Sequence, residues 1–172
     1  MLRRNLARLL LTAAVTLGIS AAAGVPASAH KVYGSWSDND QLCAVSTCVN
    51  TGNLVRLWQT ILYAEKLLPQ ADIDGEFGSQ SANATINWQK QYNSNRPAGA
   101  PTIDVDGWVG SQSWNGAERR LKYETYDATY DYYNYAGVTG ERVVNLRKNK
   151  STGEWFFQKP LNMTWYDTSH GS

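Results

Sequence analysis

From Asn53 onward the apolar residues return at intervals of three and four: Leu54, Leu57, Trp58, Ile61, Leu62 and Leu68. That spacing predicts a helix from about Leu54 to Leu68, with Asn53 as its N-cap and Pro69 as its stop. Ala84, Thr85, Trp88, Gln89 and Tyr92 share one face of a second predicted helix, which the turn-forming run from Asn93 to Gly99 ends. A third, shorter helix begins near Ser111 and carries Trp114, Ala117 and Leu121. Three helices of this size can enclose one small core around Trp58, Trp88 and Trp114. Upstream, Val32 to Asn50 is polar and turn-rich and reads as an arm or loop.

Beyond Leu121 the chain becomes rich in tyrosine. Tyr123, Tyr126, Tyr130 and Tyr133 step by three, four and three, which predicts one helical face with Asp127 and Asp131 beside it. Such a row can stack on glycan, or pack on the neighbouring domain. Glu141–Arg147, Glu154–Gln158 and Leu161–Tyr166 have strand composition; a polar turn from Lys148 to Gly153 joins the first two, and Pro160 marks the second turn. The expected fold class is therefore mainly α: a three-helix domain over 53–121, then a small antiparallel β meander within 122–172.

The first 29 residues change the picture of location. Arg3, Arg4 and Arg8 precede an apolar stretch from Leu9 to Ile19, and Ala27-Ser28-Ala29 follows, the three-part order of a secretory signal peptide. The apolar run is too short and too interrupted for a membrane span, so export with cleavage after Ala29 is expected, with no membrane attachment afterwards. Cleavage would remove three of the 16 basic residues and none of the 15 acids, leaving 13 against 15. A slightly acidic chain lacks the footprint of a nucleic-acid binder. In an exported chain Cys43 and Cys48 are expected to form a disulfide that pins the arm, residues 30–52, ahead of the first helix. Two cysteines cannot complete a cysteine-based zinc site.

The loops before helices two and three repeat each other. Asp74-Gly75-Glu76-Phe77-Gly78-Ser79-Gln80-Ser81 is echoed by Asp106-Gly107-Trp108-Val109-Gly110-Ser111-Gln112-Ser113, 32 residues later. Asp-Gly forms a tight turn, the apolar residue tucks under the helix, and serine is placed to cap free backbone N–H groups. With Val55, Trp58-Gln59 and Leu62 in the first helix and Ala84-Thr85 and Trp88-Gln89 in the second, these segments resemble, in order, the three-helix peptidoglycan-binding domain found beside bacterial wall hydrolases. The likeness covers about Asn53 to Leu121. It departs from the family at Ser79 and Ser111, where proline is frequent, at Ser81 and Ser113 in place of threonine, and at Trp58 and Trp88 in place of smaller residues.

The resemblance implies recognition of peptidoglycan, through polar groups that meet hydroxyl and amide partners and an aromatic face for a sugar ring. The candidate contacts are Asp74, Glu76, Ser79, Gln80, Asp106, Trp108, Ser111 and Gln112, with Trp108 as the aromatic. The aspartates and glycines of both loops also read as turn builders, and Gln59 and Gln89 as partners of buried loop backbone. A non-catalytic, wall-associated binder without cofactor or metal is expected. His30 and His170 are the only histidines, which leaves little for His-based metal or triad chemistry, and Ser169-His170-Gly171 resembles part of a wall transpeptidase signature with no cysteine after it. Two alternatives stand beside the binder: a protein-interaction or inhibitory module on the same scaffold, and a wall hydrolase with an unrecognised site.

Overall fold

The computed structural model describes residues 34–96, 98–160 and 162–168. The expected signal peptide, His30 and the Ser169-His170-Gly171 segment lie outside them. Three helices, α1 (Asn53–Ala64), α2 (Ser79–Asn95) and α3 (Ser111–Glu118), precede five strands, β1 (Leu121–Tyr126), β2 (Tyr130–Ala136), β3 (Val143–Asn149), β4 (Trp155–Gln158) and β5 (Trp165–Asp167). The strands form one antiparallel sheet in chain order. The helical and strand shares, 32% and 25%, are comparable, so the expectation of a mainly α chain is wrong.

The error lies in the tyrosine segment. The row expected on one helical face is two strands joined at Asp127, whose carboxylate accepts the backbone N–H groups of Thr129 and Tyr130 and so builds the turn. Tyr123 pairs with Tyr133, their rings 5.6 Å apart, and Tyr126 pairs with Asp131 across a bulge at Glu124. Tyr130 lies on the opposite face. Aromatic side chains suit a pleated surface, and pairing with β3 along the whole of β2 overrides the local three-and-four spacing.

Helix boundaries differ in smaller ways. Gly52, not Asn53, is the N-cap of α1. The helix stops at Ala64 rather than Leu68, because Lys66 adopts φ 62° while Lys66 N–H bonds Tyr63 O and Leu67 N–H bonds Leu62 O. This pair of bonds closes a Schellman turn, which satisfies the last carbonyls before Pro69 is reached. Leu121 belongs to β1 rather than α3.

The core expected around Trp58, Trp88 and Trp114 exists and extends further. Trp58 stands edge-on to Trp88 at 4.9 Å and to Trp114 at 5.3 Å. Trp36, from the supposed arm, is fully buried and carries the chain of rings from Trp114 (6.0 Å) to Trp155 on β4 (5.7 Å). Residues 34–52 are thus partly core, because one buried tryptophan bridges the helices and the sheet. Tyr135, Val144, Leu146, Trp155 and Phe157 complete the same cluster from the strands.

A polar clasp joins α1 to the sheet. Buried Glu65 accepts from Arg120 at 2.6 Å, Gln91 at 2.8 Å, the Val138 N–H at 2.8 Å and the Tyr135 hydroxyl. Tyr135 in turn accepts from Trp88 Nε1 at 3.2 Å. A charge taken out of water is tolerated when it is this fully bonded.

Candidate functional site

The repeated loops fold into the same circuit of bonds. In the first, Gln59 Nε2 donates to Asp74 Oδ1 (2.8 Å), Glu76 O (3.0 Å) and Ser81 Oγ (3.1 Å), while its Oε1 accepts the Gly75 N–H at 2.8 Å. In the second, Gln89 Nε2 donates to Asp106 Oδ1 (3.0 Å), Trp108 O (2.8 Å) and Ser113 Oγ (3.3 Å), while its Oε1 accepts the Gly107 N–H at 2.9 Å. Each aspartate also accepts the N–H two residues on, from Glu76 at 2.8 Å and Trp108 at 2.9 Å. Gly75 and Gly107, at φ 83° and 78°, take the left-handed conformation that the turn demands. Gln59 and Gln89 bond buried loop backbone, as their place on the helix faces suggests.

Each circuit floors an open cavity at a helix start. The first, of about 210 Å³, is lined by Gln59, Asp72, Asp74, Glu76, Gly78, Ser79, Gln80 and Ser81. The second, of about 170 Å³, is lined by Gln41, Gln89, Asp104, Asp106, Trp108, Gly110, Ser111, Gln112 and Ser113. All eight candidate contacts therefore line cavities, four in each, and they form two sites rather than one. Serine capping is not what opens these helices. Gly78 and Gly110 are the N-caps, neither helix has a side-chain cap bond, and Ser81 and Ser113 instead accept from the glutamines. Helix starts present backbone N–H donors beside the carboxylates, so each cavity offers both signs of hydrogen bonding.

Asp72, Asp104 and Gln41 line the cavities without having been candidates. The first two carry a signal: they precede Asp74 and Asp106 by two residues, so the repeat extends upstream as Asp72-Ile73-Asp74 and Asp104-Val105-Asp106. Gln41 carries none, because it arrives from a segment with no periodic pattern.

The N-terminal segment ties the two loops together. Leu42 exchanges backbone bonds with Val109, at 3.1 and 2.9 Å, and Gly52 N–H and Phe77 N–H bond Gly75 O and Asn50 O at 2.9 and 2.7 Å. Between these anchors the Cys43–Cys48 disulfide closes, with Cα atoms 5.4 Å apart. One cross-link thus holds the strands that brace both cavities.

Among the repeated lining positions the two cavities differ at one, and Gln41 belongs to the second alone. Glu76 in the first is matched by Trp108 in the second, which is 43% exposed. The first site is therefore acidic, and the second adds an aromatic face to its carboxylates and amides. Among the described residues no group of three or more His, Cys, Asp or Glu side chains is placed to hold a metal ion, and no helix is long and apolar enough to cross a membrane. Compared with known protein families, curated proteins and solved structures, the chain matches none.

Proposed function

We propose that the chain is a binding module for a repeating, hydroxyl- and amide-rich polymer, engaged through the two cavities. The polymer is peptidoglycan, and the module acts at the cell wall after export directed by residues 1–29, without catalysis of its own. The observation that carries this reading is the duplicated circuit: two polar cavities, built by the same bonds 32 residues apart, suit a ligand that itself repeats. The cavities supply carboxylate acceptors with amide, hydroxyl and backbone donors, the complement of amino-sugar and peptide groups. Trp108 gives an apolar plane of the kind a sugar ring covers. The resemblance of residues 53–121 to the wall-binding family names the polymer.

Co-sedimentation with purified insoluble peptidoglycan tests the reading, with the supernatant assayed for released muropeptides. Pelleting without release is the expected result. Release of muropeptides would replace the binder with a hydrolase, and failure to pellet would move the search to protein partners.

A further inference from the structure

The helix-distant face of the sheet is organised around one cation. Tyr135, Leu146 and Phe157 bury against the core, so the alternate residues of β2 to β5 face outward. Strand pairing sets Tyr132, Arg147 and Phe156 in one row across β2, β3 and β4, and places Trp165 opposite Gln158. The Arg147 guanidinium carbon stands 4.1 Å from the ring centre of Tyr130, 4.4 Å from that of Trp165 and 5.1 Å from that of Phe156. Ring faces attract a cation, which holds the guanidinium among them.

No ion pair between described residues includes Arg147, and its Nε is buried without a hydrogen-bond partner there. Of the nearby acids, Asp127 accepts from the Tyr132 hydroxyl at 2.7 Å and from its own turn, and Asp167, which ends the same row on β5, makes interactions of its own. Beside the rings, Asn145 donates to Gln158 at 2.8 Å, which puts amides next to the aromatic surface.

We propose that this face is a second binding site, for an acidic polysaccharide. A uronate carboxylate pairs with Arg147, which Trp165 holds in place, and the pyranose ring packs beside it against Tyr132. The charge complementarity is specific, because a guanidinium presents a planar fork that matches a carboxylate. A uronate bears its carboxylate directly on the ring, so a sugar seated beside Arg147 reaches the guanidinium without a spacer. This site is separate from both loop cavities, and the proposal does not depend on their ligand.

Affinity electrophoresis of the protein through gels containing polygalacturonate, with neutral dextran as the control, tests the proposal. The expected result is retardation by polygalacturonate alone, relieved by salt, as ion pairing at a surface is screened. Arg147→Gln and Trp165→Ala each weaken it by about ten-fold, and Trp108→Ala leaves it unchanged. Arg147→Lys, which keeps the charge and loses the fork, also binds more weakly while melting as the wild type does, which separates loss of the site from loss of the fold. Absence of retardation, equal retardation by dextran, wild-type binding by either Arg147 variant, or loss of binding in Trp108→Ala would overturn it.

Discussion

At the scale of single residues, Trp108 distinguishes the two cavities, since its counterpart is Glu76. The residue is 43% exposed, and its backbone is held by the Asp106 and Gln89 side chains. Trp108→Ala should therefore weaken pelleting with peptidoglycan by about ten-fold, roughly 1.4 kcal/mol, with unchanged helicity by circular dichroism. Unaltered pelleting would remove the aromatic contact from the account. Tyr135 is the opposite case. Burial, then the Glu65 charge, raises its pKa far above that of an ordinary tyrosine, so the hydroxyl stays a neutral donor to Glu65. Tyr135→Phe leaves Trp88 Nε1 and a buried carboxylate each short of a partner, and urea denaturation should show a loss of about 1–3 kcal/mol. Equal stability would mean that both groups find other partners. Gly137 allows the chain to pass over the end of α1, where an added Cβ would stand 2.0 Å from Ala64 O. Backbone cannot yield as a side chain can, so Gly137→Ala should cost about 3 kcal/mol or more, read from thermal melting. A wild-type melting temperature would show that the contact opens freely.

At the scale of elements, the helices were legible because their apolar spacing and turn residues agree. The site loops were legible because they occur twice. The tyrosine segment was not. A step of three, four and three is a helical signal only if local contacts decide, and here β3 supplies the deciding partners from beyond residue 142. The Asp127 turn that separates β1 from β2 gives this a pH signature. The Tyr130 N–H, the Tyr132 hydroxyl and the Thr129 N–H, in that order, hold the Asp127 carboxyl below the usual carboxylate range. Its folded pKa lies below its unfolded one, so the stabilisation is complete above about pH 4 and is lost as pH falls through the folded value. Asp127→Asn should melt below the wild type at pH 7, and the gap should close as the pH is lowered toward 2. A gap that does not change with pH would show that the charge plays no part in the turn.

At the scale of the whole molecule, one core runs from the helices into the sheet, and Trp36 and Glu65 are its joints. Neither joint was visible in sequence. Trp36 is a lone aromatic in a polar run, and Glu65 has the look of a solvated helix residue until Tyr135, Arg120 and Val138 close around it from distant positions. The disulfide was anticipated, but its position between the two loop braces depends on backbone pairings of Leu42 and Gly52 that no local pattern encodes. The eight candidate positions stand out in the sequence because they carry the repeat, whereas their division between two cavities required the fold. The most direct measurement is an amide chemical-shift titration of the isotope-labelled protein with soluble muropeptides. Shifts concentrated in residues 74–81 and 106–113 are predicted, and shifts confined to the sheet, or none at saturating ligand, would contradict the account.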